Sequence, residues 1–327
     1  MGMKKVTYRQ ALNEALSEEM GRDSKVVIFG EDVGTYGGVF KVTDGLMKKF
    51  GTDRVFDTPI AEAAIMGAAT GAAVAGLRPV VEVMFMDWIG IAMDQIINQT
   101  TMMPYLWEGI KVPLVLRTQG GSGSKGSCQH TKSLEAWLYH VPGLVLVMPS
   151  TPYDAKGLLK SSIRNDNPVA FVEHKMLYPT EGEIPEEEYT LPLGKASVKR
   201  EGKEITIVAI SKMVVESLKA AKELEEEEGI SVEVVDPVTI KPLDMDTIAE
   251  SVKKTNRVVV VNEAYRTGAV ASDITAQIQE RCFDYLDAPI LRVTAPDVQV
   301  PYSPALEKYW LPGKDKIKEA VMASLKK

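Results

Sequence analysis

The hydrophobic residues in the first half of the chain fall into short runs. These runs are rich in β-branched residues and occupy Lys25–Gly30, Pro79–Phe85, Val112–Arg117, Leu144–Met148 and Val169–Glu173. Stretches with helical character separate them, at Tyr8–Met20, Ala61–Gly76, Trp88–Met102 and Pro152–Arg164. Continuous apolar strands that alternate with helices are typical of parallel sheets covered on both faces, so the pattern predicts a doubly wound α/β domain.

A second series with the same rhythm follows a break in the pattern. The break, Pro179–Gly194, carries three prolines, several glutamates and no apolar periodicity, which is typical of an extended linker. Beyond it the sequence predicts four strands and three helices: strands Ile205–Ile210, Val232–Val235, Val258–Val261 and Ile290–Val293, and helices Val214–Glu227, Met245–Lys254 and Val270–Arg281. We therefore expect two doubly wound domains, an N-terminal one over 1–185 and a smaller one over 195–327.

Composition and charge narrow the classes of function. Of the 327 residues, 45% are apolar and 25% are charged, and the net charge of −7 comes without a basic run. Nucleic acid is therefore not expected as a partner. The most apolar helical stretch is mostly Ala and Gly and too short to span a bilayer, so no membrane segment is expected. The two cysteines, Cys128 and Cys282, lie far apart and imply no disulfide framework, which fits a reducing cytoplasm.

The segment Asp57–Glu62 (DTPIAE) places a carboxylate at the head of a predicted helix. Thr58 is a candidate cap and Pro59 suits the first helical position, so Glu62 can be interpreted as a first-turn acid favoured by the helix dipole. The helix that follows, however, is built of small side chains with Gly67 and Gly71 one turn apart. Because glycine costs about 1 kcal/mol against alanine in a helix, the pair indicates close approach of another backbone or a ligand, and Glu62 is expected to be partly buried.

A glycine-rich loop, Thr118–His130 (TQGGSGSKGSCQH), contains the formal dinucleotide fingerprint Gly121-x-Gly123-x-x-Gly126. Ribose recognition requires an acidic residue about 20 positions later at a strand end, and the next strand here ends in Pro149-Ser150. A phosphate-binding P-loop fails as well, because the order is Ser-Lys-Gly rather than Gly-Lys-Ser. What remains is a long loop ending in His130, and such loops often form lids or mouths of sites.

These residues, taken together and in order, resemble one family. The segments DTPIAE, GLRPVVEVMF, HVPGLVLVMPSTPYDAKGLL, IRNDNPVAFVEHKMLY, EEEYTLPLGKA and FDYLDAPILRVTAPD are similar to the beta subunit of the decarboxylating first component of pyruvate, branched-chain 2-oxoacid and acetoin dehydrogenase complexes. The resemblance implies a transketolase-like pyrimidine-binding domain followed by a transketolase C-terminal domain. It also implies thiamine diphosphate with Mg, bound between an alpha and a beta chain of a heterotetramer of two alpha and two beta chains.

The resemblance also implies roles for individual residues. Glu62 matches the glutamate that hydrogen-bonds the cofactor's pyrimidine ring nitrogen, Met84 and Trp88 match positions that pack on that ring, and His130 matches an active-site histidine. A possible structural K ion is held in some members by backbone carbonyls matching Leu114, Ser162, Ile163, Asn165 and Asn167. The family's Gly-Asp-Gly motif with a later Asn, which binds diphosphate and Mg, has no counterpart in this chain and is expected on the alpha subunit.

The implied activity is cleavage of acetoin or pyruvate and transfer of the acetyl unit to a lipoyl group on an acyltransferase core. Branched-chain 2-oxoacids are the alternative substrate. Two rival interpretations stay open: an NAD-binding dehydrogenase that uses the Gly121 loop, and a non-catalytic scaffold subunit. The family often has Phe where this chain has Trp88, and either aromatic face can stack on the ring. The family often reads Gln-His-Ser-Gln where this chain reads Gln129-His130-Thr131-Lys132, and the glycine loop before it departs from the common Asn-Gly-Ala pattern, so this chain differs from the family at the substrate mouth.

Overall fold

The computed structural model describes residues 2–326, which divide into two compact units. The first unit runs to Gly120 and resumes over Trp137–Leu193. The second unit comprises Gly121–Ala136 and the chain from Gly194 onward. The glycine-rich segment after Gly120 therefore groups with the C-terminal part of the chain, although the sequence predicted it inside the N-terminal domain.

The first unit contains eight strands and seven helices among the described residues, with α6 crossing its boundary. In chain order they are β1 (Met3–Thr7), α1 (Tyr8–Arg22), β2 (Val26–Gly30), α2 (Leu46–Phe50), β3 (Val55–Asp57), α3 (Glu62–Val74), β4 (Arg78–Val83), α4 (Ile89–Gln95), α5 (Met103–Leu106), β5 (Val115–Gly120), α6 (Glu135–His140), β6 (Val145–Val147), α7 (Pro152–Arg164), β7 (Val169–His174) and β8 (Glu181–Pro185).

Six of these strands form one parallel sheet in the order β6-β7-β5-β4-β2-β3. After β2 the chain adds β3 on one side, and it then crosses to add β4 on the other side of β2. The winding direction thus reverses between β2 and β4. Open α/β sheets bind ligands outside the carboxyl ends of their strands at such a reversal.

The second unit contains β9 (Ser197–Arg200), β10 (Ile205–Ala209), α8 (Lys212–Glu228), β11 (Val232–Asp236), β12 (Thr239–Lys241), α9 (Met245–Thr255), β13 (Val258–Tyr265), α10 (Val270–Cys282), β14 (Leu291–Ala295), α11 (Pro304–Trp310) and α12 (Lys314–Leu325). Its sheet has the order β14-β13-β10-β11-β9, with β9 antiparallel to β11 and the other pairs parallel. Successive side chains of β10 point to opposite faces of this sheet. Ile207 packs in the core with α8 and α12, whereas the Thr206 hydroxyl bonds Ser251 and Thr255 of α9.

The structure confirms the predicted doubly wound α/β architecture and shows where local interpretation of the sequence was wrong. The extended linker contains β8, which pairs antiparallel with β1. The helix predicted over Trp88–Met102 is divided into the α-helix α4 and the π-helical turn Ile96–Thr100. Thr58 and Pro59 precede α3 rather than open it, since α3 begins at Glu62. Among residues 2–326, every helix falls short of the length or apolar character that crossing a bilayer requires.

Replacing Leu224 with alanine tests the core of the second unit. Leu224 is fully buried on α8 among the strand residues of that unit, so Leu224→Ala is expected to lower the free energy of unfolding by about 2–5 kcal/mol. Leu306→Ala, at a side chain that is 58% exposed, is the matched control and should cost far less. Urea denaturation followed by circular dichroism measures both, and equal losses would contradict this assignment of the core.

Candidate active site

The first unit collects polar side chains at the reversal of its sheet. Glu31 follows β2 directly, and Met84 follows β4, the neighbouring strand. Glu62 is the first residue of α3, the helix that connects β3 to β4. Three separate segments therefore bring chemically useful residues to the carboxyl ends of adjacent strands.

Glu62 is buried at the head of its helix, with only 5% of its surface exposed. The preceding residue, Ala61, occupies the N-cap position and makes no side-chain capping bond, so Thr58 does not cap this helix as predicted. The first-turn N–H groups and the helix dipole favour an anion at this position. Of the two glycines that suggested close approach, Gly67 faces Gln95, where an added Cβ would lie 3.2 Å from the amide oxygen, and Gly71 borders open space among the described residues.

Glu31 is the residue at this site that the sequence analysis missed. Its side chain is 5% exposed, and its Oε1 atom has no hydrogen-bond partner within residues 2–326. Burial, together with the negative charges of Glu62, Asp32 and Glu82, raises the pKa of Glu31 to about 7. The only signal in the sequence was its place directly after a buried strand, where the segment Gly30-Glu31-Asp32 ends the apolar run.

A buried ionic cluster lies in the neighbouring strands of the same sheet. The Arg117 guanidinium donates to Glu173 through Nε at 2.7 Å and Nη2 at 2.8 Å, and to Glu82 through Nη1 at 2.6 Å. Tyr178 donates its hydroxyl to Glu173 at 2.6 Å, and Gln119 donates its amide to Glu82 at 2.9 Å. Burial raises the pKa of Glu82, with Arg117 opposing that rise. Burial disfavours the charged form of Arg117, but the two carboxylates outweigh it and raise the pKa of the guanidinium.

Met84 and Trp88 lie beyond the end of β4, on the segment that leads into α4. Met84 is half-buried, and Trp88 is 41% exposed at the end of a 3-10 turn over Met86–Trp88. Between them the Phe85 ring packs edge-on against Phe40, with ring centroids 5.8 Å apart. The two side chains that the resemblance assigns to a ring contact are therefore on one short segment after the central strand.

His130 lies in the second unit, on the glycine-rich loop. The loop is half-buried at His130 and contains a short 3-10 turn over Ser127–Gln129. The first helix after the loop, α6, begins only at Glu135. A dinucleotide fingerprint needs its glycines to open a helix whose N–H groups bind the pyrophosphate, and Gly126 is not followed directly by one. This geometry weighs against the NAD-binding interpretation.

The resemblance assigns potassium-binding carbonyl groups to Leu114 before β5, to the last turn of α7 and to the residues that follow it, and four of these carbonyls accept hydrogen bonds. Arg78 donates to Ile163 O at 2.7 Å and to Asn165 O at 2.5 Å. Ser162 O accepts from Asn165 N–H, Leu114 O accepts from Val169 N–H, and Asn167 donates its own N–H to the Asn165 side chain. Each carbonyl oxygen keeps a second lone pair. Within residues 2–326, no three His, Cys, Asp or Glu side chains converge to hold a metal ion.

Comparison with known proteins agrees with this geometry over nearly the whole chain. Residues 4–181 match the family described as transketolase, pyrimidine binding domain, and residues 194–317 match transketolase, C-terminal domain. A structure described as a split gene transketolase, an inactive beta4 tetramer, superposes with a TM-score of 0.80, covers 98% of each chain and is 24% identical. At that identity the likeness shows the fold alone.

Three curated relatives are much closer in sequence. The chain is 46% identical to the beta subunit of acetoin:2,6-dichlorophenolindophenol oxidoreductase from Bacillus subtilis, covering 95% of both chains. It is 48% identical to the beta subunit of the pyruvate dehydrogenase E1 component from Staphylococcus epidermidis and 46% identical to the beta subunit of 2-oxoisovalerate dehydrogenase from B. subtilis, covering 99% of both chains in each case. The chain therefore belongs to the family of beta subunits of the first, decarboxylating component of 2-oxoacid and acetoin dehydrogenase complexes, built from a transketolase pyrimidine-binding domain and a transketolase C-terminal domain.

Proposed function

We propose that this chain binds the pyrimidine half of thiamine diphosphate through Glu62. The observation that carries the proposal is a buried carboxylate at a helix head beside the sheet reversal, next to Glu31, whose Oε1 atom has no hydrogen-bond partner among residues 2–326. A buried polar atom without a partner costs about 1–3 kcal/mol, so the site as it stands suits a ligand that supplies hydrogen-bonding groups. The pyrimidine ring has such groups at its edge and an apolar face for Met84 and Trp88.

Thiamine diphosphate, when bound, supplies an acidic thiazolium carbon that adds to the carbonyl of the substrate. Glu62 would hold the pyrimidine ring through a hydrogen bond to its ring nitrogen, and its carboxyl group would share a proton with that nitrogen, which would make the ring's exocyclic amine available as a base. A carboxyl group suits this role because it both donates and accepts a proton. Glu31, whose pKa lies near 7, limits the negative charge around Glu62 at neutral pH.

The diphosphate and Mg ligands come, in this proposal, mainly from an alpha subunit in a heterotetramer of two alpha and two beta chains. The complex cleaves acetoin or pyruvate and passes the acetyl unit to a lipoyl group on an acyltransferase core, with His130 assisting proton transfer. The three relatives, at 46% to 48% identity, favour no one substrate, so a branched-chain 2-oxoacid is the second candidate. Both cysteines are free thiols, which suits the reducing cytoplasm we propose as its location.

Substitutions of Glu62 test the role of its carboxyl group. In the chain reconstituted with its alpha subunit, Glu62→Gln and Glu62→Ala are each expected to lower kcat by about 100-fold or more, since acid–base catalysis contributes roughly 10²–10⁴-fold. Asp246→Asn, at an exposed first-turn acid of α9, is the matched control for a helix-dipole effect. Steady-state kinetics decide between them. Normal turnover in either Glu62 variant would show that the residue is only a first-turn acid.

The raised pKa of Glu31 makes the stability of the chain depend on pH. The folded chain binds a proton at Glu31 up to about pH 7, whereas the unfolded chain releases it near pH 4.5, so this residue costs stability as pH rises through that window. The melting temperature of Glu31→Gln minus that of the unsubstituted chain should therefore increase as the pH rises from 5 to 8. Glu187→Gln, at an exposed position, is the control. A melting-temperature difference for Glu31→Gln that stays constant with pH would contradict the assignment.

Cofactor binding separates the proposed function from its rivals. Calorimetry should detect thiamine diphosphate binding when this chain and its alpha subunit are mixed with Mg, and no NAD binding by this chain alone. NAD binding or dehydrogenase activity of the lone chain would support the nicotinamide rival, and a mixture that binds no cofactor would support a scaffold. Acetoin, pyruvate and branched-chain 2-oxoacids tested on the mixture would then rank the substrates by kcat/KM.

A further inference from the structure

The glycine-rich loop that carries His130 is attached to the second unit through buried carboxylates. We infer that Glu263 and Glu307 are positioning residues that hold this loop, and with it His130, in its working conformation. The inference rests on the proposed function only in giving His130 a role in the reaction. The attachment itself follows from contacts within the second unit.

Two carboxylates accept the backbone N–H groups of successive loop residues. Ser122 N–H donates to Glu263 Oε1 at 2.5 Å, and Gly123 N–H donates to Glu307 Oε1 at 2.8 Å. Glu263 is near the end of β13 and 5% exposed, and Glu307 is in the first turn of α11 and 4% exposed. Two distant elements of the second unit thus converge on two adjacent residues of the loop.

The beginning of the loop is hydrogen-bonded to the two residues that follow His130. Gly121 N–H donates to Lys132 O at 3.3 Å, and the Ser122 hydroxyl donates to Thr131 O at 3.1 Å. Ser122 therefore links the two ends of the loop, which together form its base, while its own N–H donates to Glu263. His130 directly precedes Thr131, so the position of the histidine backbone depends on where this base is held.

A third buried contact holds the segment after His130. Asn262, next to Glu263 on β13, donates its amide to Glu135 Oε1 at 2.8 Å, and both side chains are buried. Glu135 begins α6, the helix that follows the loop. The loop is consequently attached to the second unit both before and after the histidine.

The amino-acid composition of the loop explains why it is held by hydrogen bonds to carboxylates rather than by side-chain packing. Residues 121–127 are Gly, Ser and one Lys, so they offer little apolar surface to pack. Gly121 and Gly123 have φ values of 86° and 98°, a backbone conformation that glycine adopts without strain. Hydrogen bonds to a charged acceptor are about twice as strong as neutral ones, so two carboxylates supply the attachment that side-chain packing does not.

Limited proteolysis of the chain reconstituted with its alpha subunit tests the attachment without using activity. Lys125 is exposed in the loop and offers trypsin a cleavage site. Glu307→Ala leaves the Gly123 N–H without its acceptor and should speed cleavage after Lys125 by about tenfold, the effect of losing one charge-assisted bond. Glu307→Gln keeps an acceptor oxygen and should restore slow cleavage, and Glu250→Ala, at an exposed residue of α9, should change nothing.

A double-variant cycle tests whether the carboxylate acts through His130. Glu307→Ala should lower kcat by about tenfold and leave the Kd for thiamine diphosphate within about twofold. In a His130→Ala chain, the same substitution should change kcat by less than about twofold, because its target is already gone. Independent, multiplying losses in the double variant would overturn the inference, as would cleavage after Lys125 at the control rate.

Proteolysis and kinetics together distinguish a failure of this inference from a failure of the proposed function. If His130→Ala retains full kcat, the proposed role of His130 fails, and cleavage after Lys125 still decides whether Glu307 holds the loop. A second outcome is that kcat falls in His130→Ala, while Glu307→Ala matches Glu250→Ala both in the rate at which trypsin cleaves it and in kcat. In that case the role of His130 stands and the positioning role of Glu307 is overturned. Glu263→Ala repeats the comparison at the second carboxylate, with Glu263→Gln as the variant that keeps an acceptor oxygen for the Ser122 N–H.

Discussion

The buried Arg117 guanidinium is the interaction on which the first unit's site depends. The carboxyl ends of β4 and β7 carry Glu82 and Glu173, both shielded from water, and Arg117 bonds both from the strand between them. Removing the partner of a buried charge typically costs about 3–5 kcal/mol, so the three residues are committed to one another. Glu82 lies close enough to Glu31 to raise its pKa, so this cluster is electrostatically coupled to the carboxylates at the neighbouring strand ends.

The second unit solves a different problem, because it must hold a loop that has almost no side chains to pack. There the fold uses hydrogen bonds from backbone N–H groups to Glu263 and Glu307. The same residue type thus serves two purposes in the two units. In the first unit carboxylates are paired with a cation or left with unused hydrogen-bonding capacity, whereas in the second they serve as acceptors that define a backbone conformation.

The sequence predicted most strongly those features that depend on local patterns. The bounds of α7 were predicted as observed, because Thr151 caps it, Pro152 opens it and Asn165 follows its end. The strand β8 was missed because its partner β1 is distant in sequence and both strands are largely polar. Glu31 was missed for a related reason, since its burial depends on elements that only the fold brings together. The attachment of residues 121–136 to the second unit depends on such contacts as well.

Burying carboxylates lowers the stability of the folded chain, and a ligand that hydrogen-bonds to them can recover part of that stability. In the described part of the chain the Glu31 Oε1 atom has no hydrogen-bond partner, and burial and the nearby charges raise the pKa of Glu31 to about 7. A ligand that supplies a donor to this region relieves part of the cost only in the folded state, and any such ligand raises stability through linkage. A surface residue exposed to water offers no comparable gain. The energetic case for a cofactor at this edge of the sheet therefore rests on burial: the fold excludes water from Glu31 and Glu62, and a bound ring can supply the hydrogen bonds that water no longer provides.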